Sequence, residues 1–208
     1  MKRDIFLFGK AEEDARLAPC YDDNAAKRKK SRFNAWFAFN TAGYPGGSIM
    51  DREHFRTADE NDVGLILRFI RELAEYEGLA DEVVADEETL REWIFGKKKA
   101  EVIFALENGQ EVGFALFFHN FSTFLGRAGI YLEDLYVRPE YRGKGYGKGL
   151  IRLLAAIAVE RGCGRLEWWC LDRNKPSVDF YLSLGAQPMD EWTTYRFEGK
   201  SLYDLAEG

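Results

Sequence analysis

Cysteine and histidine are scarce in this sequence and long apolar runs are missing, and each shortage closes off a class of function. Three cysteines among 208 residues, Cys20, Cys163 and Cys170, are too few for a disulfide framework and never stand in Cys-x-x-Cys spacing. Free thiols in a reducing, cytoplasmic setting are expected. The two histidines, His54 and His119, lie far apart, with no Cys or acidic pattern at ligand spacing around either, so no metal is expected. No stretch reaches the ~20 apolar residues of a membrane helix. The N-terminus opens Met1-Lys2-Arg3 but runs into Glu12, Glu13 and Asp14 rather than the apolar core of a signal peptide. What remains, 46% apolar and 15% aromatic residues, is the composition of a packed domain.

Charge divides the chain. Residues 1–49 carry nine Lys/Arg and six Asp/Glu, and subtraction from totals of 29 and 35 leaves 20 basic and 29 acidic residues in 50–208. A domain with net charge −9 is a poor nucleic-acid binder and a suitable host for a cationic small molecule. The first 49 residues show neither helical nor strand periodicity. Their basic run Lys27–Arg32 reads as a nucleic-acid or localisation patch, or the whole segment is an extension ahead of a natural start at Met50. Gly46-Gly47 would suit a ribosome-binding sequence upstream of that start.

From residue 52 the patterns become regular. A short strand is expected at 54–58. Asp59 can cap a helix with Val63, Ile66, Leu67, Ile70, Leu73 and Ala74 at 3.6-residue spacing, stopped by Gly78. A second helix is expected over 86–95, capped by Asp86. Strands over 101–107 and 110–121 flank Asn108-Gly109, a type I′ hairpin signal, and a third strand covers 128–137. A helix over 147–161, a strand over 165–171, a helix over 174–184 and a last strand or hairpin over 189–197 complete an α/β pattern, a mixed sheet flanked by helices.

The densest chemistry is the run from Tyr131 to Gly149, a strand followed by a glycine-rich entry into a helix. Unpaired N–H groups and the positive end of the dipole make such a helix start a phosphate cradle. Walker A needs four residues between its glycine and Gly-Lys-Ser/Thr; Gly143 and Gly147 are separated by three, and Gly149 stands where Ser/Thr should. The dinucleotide fingerprint fails as well, on Lys148 and Leu150.

The run does match the Arg/Gln-x-x-Gly-x-Gly/Ala pattern of GNAT acetyltransferases as Arg142-x-x-Gly145-x-Gly147, directly after Leu135-Tyr136-Val137-Arg138-Pro139. Tyr131-Leu132-Glu133-Asp134, Asn174-Lys175-Pro176-Ser177, Phe180-Tyr181 with Gly185-Ala186, and the upstream 70–77 segment extend the match. From about Met50 to Leu205 the chain resembles the spermidine/spermine acetyltransferase branch.

That resemblance implies a GNAT fold, a mostly antiparallel sheet splayed at an acetyl-CoA slot. The backbone of Leu135, Tyr136 and Val137 would pair with pantetheine at a bulge. Arg142, Gly143, Lys144, Gly145, Tyr146, Gly147 and Lys148 would hold the pyrophosphate, with Asn174, Pro176 and Ser177 on the cofactor's far side. Tyr181 would protonate the leaving thiolate and Glu133 would help deprotonate the amine, which arrives as an ammonium of pKa near ~10.4. Tyr76, Glu77, Glu133, Asp134, Asp190 and Trp192 would form the amine pocket. A homodimer is a further implication.

Other readings stay open for single residues. Glu133 or Asp134 could instead salt-bridge Arg138 or Arg142, and Cys163 and Cys170 read as inert thiols. For the acceptor, a polyamine or diamine follows from the branch. The loop before Trp192 is short, and Thr193-Thr194-Tyr195 departs from the branch sequence, which keeps lysine, thialysine or a protein amine as alternatives. A non-catalytic acetyl-CoA-binding module is the third reading.

Overall fold

The computed structural model describes residues 54–208. The basic run Lys27–Arg32, Gly46-Gly47 and Met50 lie outside these residues. Strand β1 (Phe55–Thr57) leads to a tight turn at Glu60–Asp62, where the Asp59 carboxylate accepts the Asn61 N–H at 2.8 Å and Asp62 accepts the Asp59 N–H at 2.8 Å. This reciprocal cap launches helix α1 (Val63–Glu77), which Gly78 ends in the left-handed conformation at φ 73°. Asp86 caps α2 (Glu87–Leu90) through the Thr89 N–H. The sequence predicts one α-helix to residue 95. The chain instead widens into a π turn, Arg91–Gly96, in which Ile94 is buried and the Lys97 N–H bonds back to the Glu92 carbonyl at 2.7 Å.

Strands β2 (Glu101–Glu107) and β3 (Gln110–Ser122) meet at Asn108-Gly109, whose φ values of 53° and 79° are those the I′ turn requires. β4 (Arg127–Val137) is antiparallel to β3, helix α3 (Tyr146–Glu160) follows, and β5 (Leu166–Trp168) lies parallel to β4. The sheet order is β1-β2-β3-β4-β5. Apolar side chains alternate to its two faces. One face carries Ile66 and Phe69 of α1 against Phe104, Phe114 and Tyr136; the other carries Leu150 and Leu154 of α3 against Val112, Ala115, Ile130 and Leu132. Phe69 stacks on Phe114 with centroids 5.2 Å apart. Burying each such side chain contributes about 1.5–3 kcal/mol, so α1 and α3 hold the sheet rigid between them.

Helix α4 (Lys175–Ser183) begins at Asn174, as the pattern predicts. Two expectations fail. The strand over 165–171 shortens to the three residues of β5, and no strand forms over 189–197, where Met189, Trp192, Tyr195 and Phe197 are exposed. A strand is stabilised by its neighbours, and none of the described strands pairs with this segment. A last helix, α5 (Lys200–Glu207), was not expected. No helix among the described residues is long and apolar enough to cross a membrane.

Candidate active site

The site grows out of a defect in the β3–β4 ladder. Asp134 faces Leu116 and Leu132 faces Phe117, so Glu133 is an extra residue on β4, a bulge. On the other edge of β4, pairing with β5 stops at Leu132–Trp168. Beyond that pair the strands part, and the backbone from Glu133 to Val137 is left without a strand partner on that side. Leu135, Tyr136 and Val137 lie on this unpaired edge.

One end of the slot is closed by the helix start. Gly143 and Gly145 take φ of 75° and 96°, a conformation that side chains with a β-carbon avoid. Helix α3 has no side-chain cap, and its first bond runs from the Gly149 N–H to the Gly145 carbonyl at 2.9 Å. The amides ahead of that bond are the ones a helix leaves unpaired. Exposed Arg142 and Lys148 flank them, so the segment fits a diphosphate such as that of acetyl-CoA. Side chains within the loop divide their labour. Tyr146 is 4% exposed and donates its hydroxyl to Glu107 at 3.0 Å, and Lys144 pairs with the same carboxylate at 2.9 Å. Both tie the loop to the end of β2, which leaves Tyr146 only its backbone to offer a ligand.

The turn leading into the loop is fixed separately. Arg138 reaches both carboxylate oxygens of Glu72 on α1, at 2.9 and 2.8 Å, donates to the Glu111 carbonyl and lies over the Phe69 ring. Arg142 donates to the Val137 carbonyl at 2.9 Å and packs over Tyr76, 4.3 Å from the ring centroid. Neither arginine pairs with Glu133 or Asp134, so the salt-bridge alternative for those carboxylates is not realised.

The far wall comes from α4. Asn174 caps this helix by accepting the Ser177 N–H and also accepts the Tyr76 hydroxyl at 3.3 Å. Pro176 sits in the first turn, where its missing N–H costs nothing. Tyr181 is half-buried, with its ring 4.8 Å from Trp168 and 5.2 Å from Phe180. Burial first, and the nearby Cys170 and Glu77 second, push its phenol well above the ordinary tyrosine range and keep it protonated. Burial raises the Cys170 thiol as well, as expected of an inert thiol.

At the inner side of the slot, acidic groups converge. Asp134 is pushed up to about 7 by burial, then by Glu133 and Glu77. Glu77, the last residue of α1, is raised by burial and lowered by Arg173. Glu133 itself is exposed. The bulge thus brings Glu77, Glu133 and Asp134 into one electrostatic group near Tyr181. It does not gather the whole predicted pocket. Tyr76 bonds to Asn174 and supports Arg142, on the side given to the cofactor. Asp190 and Trp192 lie on exposed irregular chain, with no hydrogen bond or ring contact to the slot.

Sequence reasoning missed Glu107, Arg173 and Arg196. Arg173 donates to the Glu77 carbonyl at 3.0 Å, and Arg196 stands 5.8 Å from the centroid of exposed Trp169, which is edge-on to Tyr131. Arg196 also pairs with its near neighbour Glu198, whereas the partners of Glu107 and Arg173 lie tens of residues away in the chain and no local pattern announces them. Among the described residues no group of three or more His, Cys, Asp or Glu is arranged to hold a metal ion.

Comparison with known proteins decides the family. The model of the acetyltransferase (GNAT) family matches residues 67–186. The chain belongs to the GNAT family. It is 45% identical to a thialysine N-epsilon-acetyltransferase of Bos taurus, over 73% of this chain and 95% of that one. A spermidine/spermine N(1)-acetyltransferase-like protein of Homo sapiens is 30% identical, over 76% of this chain and 24% of its own length. Among solved structures, an integron cassette protein from V. cholerae has a TM-score of 0.64 at 31% identity, covering 74% of this chain and 97% of that one. As a GNAT protein this chain is an N-acetyltransferase, an enzyme of a family that uses acetyl-CoA.

Proposed function

We propose that the chain transfers the acetyl group of acetyl-CoA directly to a primary amine of a small molecule, within one complex of enzyme and both substrates. The observation that carries this reading is the unpaired edge of β4 from Glu133 to Val137, bounded by the uncapped start of α3 and by the protonated phenol of Tyr181. Leu135, Tyr136 and Val137 hold the pantetheine arm by their backbone, and the amides from Gly143 to Lys148 hold the pyrophosphate with Arg142. Bound acetyl-CoA supplies an acetyl group on a thioester whose sulfur departs as a thiolate. Tyr181 provides the proton that the departing sulfur needs. Glu133, exposed at the rim, draws in the ammonium and offers its proton a route outward.

For the acceptor we propose the side-chain amine of a basic amino acid, of the lysine, thialysine or ornithine type, ahead of a polyamine. Two observations support this order. The acidic group of Glu77, Glu133 and Asp134 carries a cation at one end, Arg173 at Glu77, whereas a polyamine is best held by anions throughout. The thialysine acetyltransferase named above is also the more similar of the two curated relatives, and over nearly its full length. A cytoplasmic location fits the free thiols of Cys163 and Cys170, and a homodimer fits the exposed apolar residues between Met189 and Leu205.

A panel of lysine, thialysine, ornithine, putrescine and spermidine, assayed by release of free coenzyme A thiol, tests the acceptor. Higher kcat/KM for the amino acids is expected. A preference for spermidine would return the acceptor to the polyamine class.

A further inference from the structure

Glu133 is exposed and belongs to the rim, yet the amine must lose its proton close to where it reacts. We infer that Asp134, working with Glu77, is the group that takes the proton from the incoming ammonium, a role that rests on the amine-acetylating reading of the slot.

The bulge is what makes this geometry. In a regular strand Asp134 would share a face with Leu132, in the core beneath α3. The extra residue Glu133 breaks the alternation: Leu132, Leu135 and Val137 all pack on the α3 side, and Tyr136 packs on the α1 side. Asp134 therefore falls on the face of Tyr136, toward α1, whose last residue is Glu77. There it is largely enclosed, and none of the described residues gives it a hydrogen bond or an opposite charge. The nearby arginines are committed elsewhere: Arg138 to Glu72, Arg142 to the Val137 carbonyl, Arg173 to the Glu77 carbonyl.

The groups that face it are anionic or neutral. Glu133 acts on Asp134 along β4 and Glu77 acts on it from α1, while Cys170 and Tyr181, across the slot, face Glu77 in turn. Among the described residues Arg173 is the one cation acting on Glu77. An enclosed carboxylate beside two others, with no cation of its own, is a seat for an ammonium ion. It also holds a proton far more tightly than an ordinary aspartate.

That tighter hold matches the task. An alkylammonium with a pKa near ~10.4 gives its proton to an ordinary aspartate very unfavourably. Raising the carboxyl from 3.8 to about 7 makes the transfer roughly 10³-fold more favourable. In the step itself one N–H bond of the ammonium breaks and an O–H bond forms on Asp134. The electron pair stays on nitrogen, which becomes the nucleophile. The proton then leaves by way of Glu77 and exposed Glu133 to water, and the carboxylate is restored.

The test combines two readouts. In protein carrying carboxyl-¹³C aspartate, one resonance should titrate near pH 7, vanish in Asp134→Asn and move to lower pH in Glu77→Gln. In the pH profile of kcat/KM with thialysine, Asp134→Asn should lower activity about 100-fold or more and abolish the acidic limb. Glu77→Gln and Glu133→Gln should each shift that limb downward without abolishing it. The inference is overturned if no aspartate titrates above pH 6. It is equally overturned if Asp134→Asn keeps the limb while Glu133→Gln removes it. If Asp134→Asn does not fold, Glu77→Gln carries both tests. A wild-type protein that shows the titration but acetylates no amine would instead overturn the transferase reading, and the proton-transfer role with it, and leave the raised carboxyl standing.

Discussion

The hydroxyl of Tyr76 donates to Oδ1 of Asn174 at 3.3 Å, joining the C-terminal end of α1 to the cap of α4 across the slot. The same tyrosine ring carries the Arg142 guanidinium. One residue thus touches the cap of α4, which forms the far wall, and the arginine of the phosphate loop. Tyr76→Phe keeps the ring and removes only the bond. Because the bond is exposed, stability should fall by no more than about 1 kcal/mol. The KM for acetyl-CoA should rise several-fold, with kcat nearly unchanged. Steady-state kinetics with varied acetyl-CoA check this.

Tyr181 is assigned to a step that occurs only after the cofactor is bound. Tyr181→Phe should lower kcat by about 10²–10⁴-fold, the usual range for a lost general acid. The packing against Trp168 survives in the variant, so acetyl-CoA affinity measured by calorimetry should stay within about two-fold. Unchanged turnover would remove the residue from the chemistry.

Asp134 makes stability depend on pH in a direction opposite to a salt-bridged aspartate. Its folded-state pKa, about 7, lies above the ordinary 3.8, so the folded protein holds this proton more tightly than the unfolded chain. No penalty exists below pH 4, where both states are protonated. It grows as pH rises from 4 toward 7 and is constant above that, reaching roughly 4 kcal/mol at most. Asp134→Asn should therefore raise Tm, little at pH 4 and most at pH 8. Calorimetric melting of both proteins across this range checks the sign.

Gly145 stands at φ 96°, just ahead of the first turn of α3. Gly145→Ala should cost about 1–2 kcal/mol in stability through backbone strain. It should also weaken acetyl-CoA binding, because the unpaired amides turn away from the phosphates. Denaturant melts and binding isotherms would separate the two effects.

Much of this was legible in the sequence because local rules and tertiary packing agreed. Asn108-Gly109 could form little else but its hairpin turn, Asp59 and Gly78 punctuated α1, and the glycines after Arg142 opened α3. A bulge was expected from resemblance at Leu135–Val137, and its place at Glu133 emerged only once β3 was laid beside β4. Where local pattern and packing part, the reading failed. Residues 189–197 are rich in the aromatic and β-branched residues that strands favour, yet none of the described strands pairs with them. Helix α5 is short, and Gly199 offers it no side-chain cap; Leu202, Leu205 and Ala206 at helical spacing and the Lys200–Asp204 pair are its signals. The bond from the Tyr146 hydroxyl to Glu107, 39 residues earlier, was likewise beyond any local pattern.

The central claim is amine-dependent release of coenzyme A. Mixing the protein with acetyl-CoA and thialysine, and following free thiol together with the mass of the amine, tests it most directly. One thiol should be released per acetylated amine, with no acetylated protein accumulating in acetyl-CoA alone. A protein that binds acetyl-CoA tightly yet releases no thiol with any amine in the panel would contradict it.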